Sequence, residues 1–339
     1  MASDVTAAEP PMAAFAGRTI VITGGGGYIA AALLRCLSVT DCIVRRVVRR
    51  TSPIPAGGIA RIEDVIGDLG ERSLWRDVVA GADVVVHLAA QTSTYVANAD
   101  PAADLRVNVV PVVHLLEACR ARGGPVPAVL LAGSATEVGL TTAVPVGVHE
   151  PDRPVTIYDL HKLVAEQYLE HYARLGIVRG VCLRLANVYG PGPASSSGDR
   201  GILNLMMRRA LRAEQLTVYG DGAWVRDYVH VDDVARAFMA AAIHADAISG
   251  QHFVIGSGVG TRIVDALELV ASRVAARTGV RARVSHVPAP VDLSPIERRH
   301  FVADTTRFRA ATGWQPRFDL AAGIDGTLGA FLEEADAGR

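Results

Sequence analysis

The chain has 339 residues, half of them hydrophobic, with a formal net charge of -1 at pH 7. That length suits one main domain with a smaller lobe. Near-neutral charge removes the global electrostatic case for nucleic-acid binding, and no stretch is long and apolar enough to suggest a membrane span.

Residues 1–16 lack a basic start followed by a sustained apolar run, so a loose tail is expected there and not a secretory signal. Residues 18–23 read as a short buried strand. Gly24-Gly25-Gly26-Gly27-Tyr28-Ile29-Ala30 follows, and 31–37 can form a helix. Strand, glycine turn and helix in that order bring backbone N–H groups to a dinucleotide pyrophosphate. Gly24 is expected to make the tight turn and Gly27 to admit the phosphates. Tyr28 and Ile29 complete the turn as further cofactor contacts, and Ala30 is small enough for close helix packing.

A second strand at 43–48 ends in Arg49-Arg50-Thr51, about where an adenosine ribose is reached. An acidic residue there would bind a free 2′-hydroxyl, whereas guanidinium groups suit a 2′-phosphate. NADPH is therefore the expected cofactor, with Arg49 and Arg50 at its ribose. The alternative is that these arginines only flank an exposed strand end. Further strands at 61–66, 83–87, 128–131 and 179–185 alternate with helices at 73–79, 105–122 and 158–174. This alternation predicts an α/β fold with a Rossmann-type parallel sheet.

Gly67-Asp68-Leu69 falls just after a strand. Asp68 is placed to accept from an adenine amino group or to cap the next helix. In His87-Leu88-Ala89-Ala90, small residues would let the nicotinamide half lie along the backbone, while His87 reads as structural. Lys162 is the only lysine among 34 basic side chains and stands four residues after Tyr158. Residues so spaced share a helix face. A compact ammonium beside a phenol favours the phenolate and can also hold a ribose hydroxyl. Cys36, Cys42, Cys119 and Cys182 are scattered and suggest neither zinc nor a disulfide framework. No metal site and a cytoplasmic location are expected.

After residue 185 the pattern changes. Residues 191–198, rich in Gly, Pro and Ser, read as a loop. Helices are expected at 201–212, 231–242, 261–277 and 305–312, with a strand at 251–255. Asp232 and Asp233 would sit at the favourable end of their helix. Residues 288–300 look irregular, and Trp314 reads as a packing residue.

In sequence order, the glycine turn, Gly67-Asp68-Leu69, His87-Leu88-Ala89-Ala90, Ser134, Tyr158 with Lys162, Arg184-Leu185-Ala186-Asn187-Val188-Tyr189-Gly190-Pro191 and Arg226-Asp227-Tyr228-Val229-His230-Val231-Asp232-Asp233 resemble the extended short-chain dehydrogenase/reductase family. The resemblance runs from about Gly17 to Leu332. It implies a Rossmann domain at 17–185 and a nucleotide-sugar lobe mainly at 186–332, some of whose segments return to the first domain. It also implies a homodimer formed through the 105–122 and 158–174 helices. Within the family, the chain looks most like NADPH-dependent 4-ketoreductases acting on dTDP-linked 4-keto-6-deoxyhexoses in antibiotic biosynthesis. The features behind this are Val47-Val48-Arg49-Arg50, Leu131-Ala132-Gly133-Ser134, Tyr158-Asp159-Leu160-His161-Lys162 and Thr312-Gly313-Trp314-Gln315-Pro316.

That resemblance implies that Tyr158 donates a proton to the C4 oxygen, that Ser134 holds this oxygen and that Lys162 tunes the phenol. Asn187, Arg226 and, more weakly, Arg298 become candidate contacts to the sugar diphosphate. Arg226 paired structurally with Asp227 is the alternative. A 4,6-dehydratase typically places Asp and Glu directly after the catalytic hydroxyl residue. Here Ala135 and Thr136 stand there, and only a shift in register would recover Glu137. An NAD-dependent 4-epimerase could use the same Ser134, Tyr158 and Lys162 and is the enzymatic alternative. A silent nucleotide-binding regulator is the non-enzymatic one.

Overall fold

A computed structural model describes residues 11–51, 57–193 and 201–337. Its strands are β1 (Thr19–Thr23), β2 (Ile43–Val48), β3 (Arg61–Ile66), β4 (Val84–His87), β5 (Ala128–Ser134), β6 (Arg179–Leu185), β7 (Asn187–Tyr189), β8 (Leu216–Tyr219), β9 (Val225–His230), β10 (Gln251–Ile255), β11 (Gly260–Arg262) and β12 (Val284–Val287). Seven of them form one parallel sheet in the order β10-β6-β5-β4-β1-β2-β3. The fold is α/β: a Rossmann-type sheet with a smaller C-terminal lobe.

The central strands β1 and β4 and the first half of β5 read as continuous apolar runs because both faces of the sheet are covered there. In β1, Ile20 and Ile22 enter one core, while Val21 enters the other. In β4, Val84 and Val86 alternate with Val85 in the same way. The first eight helices are α1 (Tyr28–Leu37), α2 (Leu74–Val79), α3 (Thr94–Ala99), α4 (Pro101–Asn108), α5 (Val110–Ala121), α6 (Ile157–Arg174), α7 (Ile202–Leu211) and α8 (Val231–Ile243), and five of them cover the sheet. α1 and α8 line the first core, and α2, α5 and α6 line the second. The remaining helices are α9 (Ala245–Ile248), α10 (Ile263–Thr278), α11 (Thr306–Thr312) and α12 (Leu320–Ala337). With α7, helices α10 and α12 enclose a third core in the lobe. Among the described residues, no helix is long and apolar enough to cross a membrane.

The structure differs from the sequence expectations in instructive places. The helix expected at 105–122 is two helices that meet at Val109, just before Pro111. Proline has no N–H for the ladder, and its ring crowds the preceding turn. β5 extends three residues past the expected 131, so Ser134 is a strand end. β9 lacks alternation because Arg226 and Asp227 are both buried. Asp227 takes the N–H groups of Ser257, Gly258 and Ala303, which satisfies its charge without pairing it to Arg226. Asp233 binds Arg236 and the Arg317 and Phe318 N–H groups, tying α8 to the segment before α12. Asp232 and Asp233 do stand in the first turn of α8, which His230 caps. Residues 194–198 of the expected loop, and 1–10 of the expected tail, lie outside the described residues.

Candidate active site

Parallel strands all end at one edge, and in this order of strands β1, β4 and β5 bring Thr23, His87 and Ser134 to that edge. Gly24 follows β1 with φ +65°, a conformation costly for any side chain. A Cβ there would lie 3.0 Å from Ala89 N. The Gly27 N–H donates to Gly24 O at 2.8 Å and closes the turn. Gly27 is then the N-cap of α1, so the first N–H groups of a ten-residue helix open at this turn. Gly25 lies over Arg46, whose guanidinium makes a two-pronged contact with Asp64 at 2.7 Å.

The expected nucleotide contacts surround this turn. Leu88, Ala89 and Ala90 are half-buried beyond β4. The Leu88 and Ala89 N–H groups donate to the Thr23 hydroxyl at 3.1 and 3.2 Å. Asp68 is exposed and accepts from Gly70 N at 2.8 Å, a local turn, while Leu69 is half-buried. Arg49 and Arg50 are exposed past β2. Ile29 is half-buried on α1. The Tyr28 hydroxyl donates to Gly190 O at 2.8 Å, and burial pushes its phenol above the usual range. Tyr28 thereby joins the glycine turn to the segment that follows β7.

α6 carries the proposed chemistry. Thr156 and Asp159 form a reciprocal capping box, which fixes the first turn and with it Tyr158. Tyr158 and Lys162 are buried at 7% and 4% exposure, so neither is an ordinary helix-surface side chain. The charge of Lys162 reaches both His87 and Glu137. Ser134 is half-buried, its Oγ 2.7 Å from Thr136 Oγ1. Burial raises the Asp159 carboxyl, opposed by Thr136, Thr156 and the charge of Arg299. Glu137 is fully buried and turns inward toward Arg184. It is therefore not an acid facing a sugar, whichever register is chosen.

On the lobe side, Asn187 is half-buried in β7 and pairs with Tyr228. Arg226 is buried, and its guanidinium donates to the carbonyls of Glu297 and Arg299. Arg298 is exposed, whereas its neighbour Arg299 is buried and its charge reaches Asp159 and Tyr228. The sequence offered two adjacent arginines in an irregular stretch. Only the clamp from β9 distinguishes them, and Arg299 is the one carried toward α6.

Residues 20–256 match the model of the NAD dependent epimerase/dehydratase family. The chain is 36% identical to a UDP-glucose 4-epimerase of Mycolicibacterium smegmatis, over 75% of this chain and 77% of the relative. It is 27% identical to a dTDP-L-rhamnose 4-epimerase of Burkholderia thailandensis, over 91% and 93%. A solved structure of Thermus thermophilus UDP-glucose 4-epimerase in complex with NAD superposes with a TM-score of 0.79 at 27% identity, covering 93% of this chain and 99% of the other.

These findings correct the expectation of an NADPH-dependent 4-ketoreductase of antibiotic deoxysugar synthesis. The relatives are 4-epimerases, and the solved relative carries NAD. The error came from weighing Arg49 and Arg50 as a cofactor choice. They are exposed at a strand end, and a guanidinium can donate to ribose hydroxyls as well as to a phosphate.

Proposed function

Because the chain belongs to the NAD dependent epimerase/dehydratase family, we propose that it is an NAD-dependent nucleotide-sugar 4-epimerase acting on a UDP- or dTDP-hexose. The observation that carries this reading is Tyr158 and Lys162 buried on one helix, the charge of Lys162 reaching His87, in a chain 36% identical to a 4-epimerase.

The turn suits a dinucleotide. Gly24 leaves room that a methyl group would take from the Ala89 backbone, and α1 opens its free N–H groups there. The α1 turn from Gly24 to Ile29 takes the pyrophosphate, and Leu88 to Ala90 flank the nicotinamide half. Asp68 and Leu69 border the adenine, and Arg49 and Arg50 the adenosine ribose. NAD bound there supplies a reversible hydride acceptor for C4.

Tyr158 takes the proton of the C4 hydroxyl as hydride leaves and returns it after the hexose has presented its other face. Ser134 Oγ holds the C4 oxygen through both halves. Lys162, one helical turn beyond Tyr158, holds nicotinamide-ribose hydroxyls. Asn187 contacts the sugar diphosphate. Arg226 acts through the segment it clamps, presenting Arg299 to the phosphates, with Arg298 at the rim. The cycle consumes no external reductant.

A homodimer through α4, α5 and α6 would cover the exposed Leu105, Leu160 and Tyr168. Four free cysteines suit the reducing cytoplasm. The test is proton NMR of UDP-glucose and of a dTDP-hexose incubated with the protein, without added nicotinamide. C4 epimers should appear, with NAD released on denaturation. A requirement for stoichiometric NADPH would overturn the reading.

A further inference from the structure

Glu137 lies directly behind Ser134. Its Oε1 accepts the Ser134 N–H at 2.6 Å, and the Glu137 N–H donates back to Ser134 O at 3.2 Å. Its Oε2 stands 3.1 Å from Arg184 Nε. Arg184 in turn makes a two-pronged contact with Glu166, at 2.9 and 2.6 Å, and reaches Asp152 at 2.5 and 3.0 Å. Glu166 sits on α6 one turn beyond Lys162. The network thus starts at the Ser134 backbone and ends on the helix that carries Tyr158 and Lys162.

The surroundings are built for it. Gly133 leaves the passage open, since a Cβ there would fall 2.6 Å from Cys182 Sγ and 3.1 Å from Glu137 Oε1. Glu137 and Arg184 are 0% and 1% exposed. Buried charges need such pairing, and removing one partner leaves the others uncompensated. Plain stability is the competing explanation, but a purely structural ion pair has no need to grip the N–H of the serine itself.

We propose that Glu137 is a positioning residue for the epimerase reaction, setting Ser134 against Tyr158 and Lys162 through Arg184 and Glu166. This rests on the proposed function. Burial, reinforced by Glu166, holds the Glu137 carboxyl well above the usual range. Glutamine keeps a carbonyl oxygen able to accept the Ser134 N–H and is the conservative replacement.

The experiment compares Glu137→Ala and Glu137→Gln with wild type for epimerisation kcat, KM and bound NAD. Glu137→Ala should lose about ten- to hundredfold in kcat, the scale of a 1 Å misplacement. Its KM and NAD content should stay within about twofold, and Gln should restore kcat to within about threefold of wild type. Wild-type kcat in Glu137→Ala, equal impairment of both variants, or a KM that moves with kcat overturns the proposal. If Glu137→Ala does not fold, Glu137→Asp, which withdraws the carboxylate by one methylene, should give the same loss confined to kcat; no loss, or a shifted KM, overturns it. Failure of the wild type to epimerise would overturn the functional reading first, and this assignment with it.

Discussion

The Thr23 hydroxyl lies 3.0 Å from His87 Nδ1 across the ends of β1 and β4. Thr23 Oγ1 already accepts two backbone N–H groups, so its single proton is directed to Nδ1, and His87 is neutral with its proton on Nε2. Burial, with the charge of Lys162 behind it, pushes His87 down to about 3. The sole lysine and the glycine turn are thus linked through a histidine that stays uncharged.

An acid-sensitive stability follows. Between the unfolded histidine value of about 6.5 and the folded value of about 3, the unfolded chain binds the extra proton, so stability falls as pH drops through that window. His87→Asn is expected to lower Tm at pH 7 yet flatten its decline from pH 6.5 to 4. Parallel Tm curves for wild type and variant would mean that His87 does not contribute to the acid limb.

Tyr158→Phe removes the only group assigned to move the C4 hydroxyl proton while leaving the packing of α6 intact. Epimerisation kcat should fall by about 10²–10⁴-fold, the usual range for general acid–base catalysis, with bound NAD retained. Stopped assays on protein of matched NAD content check this.

Gly24→Ala combines a left-handed φ of +65° with a methyl group 3.0 Å from Ala89 N. The turn must then open, and the pyrophosphate N–H groups lose their aim. NAD recovered on denaturation should drop well below that of wild type, and exogenous NAD should restore activity only at raised concentration.

Trp314 is 4% exposed, packs on Phe308 and donates its indole N–H to Asp233 O at 3.0 Å. Trp314→Ala should cost about 3–5 kcal/mol of unfolding free energy in urea titrations, the usual cost of emptying such a site.

The sheet was legible because β1 and β4 are apolar on both faces and strand-length segments alternate with helical ones, and 43–48, 61–66, 179–185 and 251–255 coincide with their strands. That Tyr158 and Lys162 share one helix was legible from their spacing. β9 was hidden because its buried charges, Arg226 and Asp227, are satisfied by backbone groups from 257–258, 297, 299 and 303, contacts that local periodicity cannot encode. Arg299 was hidden for the same reason. Glu137 drew notice only as a possible acid, since its turn toward Arg184 depends on β5 and β6 lying side by side. The cofactor was misjudged because the charge of Arg49 and Arg50 does not by itself select a phosphate.

The most direct measurement uses a nucleotide hexose deuterated at C4, incubated with the protein in ordinary water and followed by NMR and mass spectrometry. Hydride removal and return at C4 predict an epimer that keeps its deuterium, with no nicotinamide added. An epimer that has exchanged C4 deuterium for solvent hydrogen, or no epimer at all, would contradict the assignment.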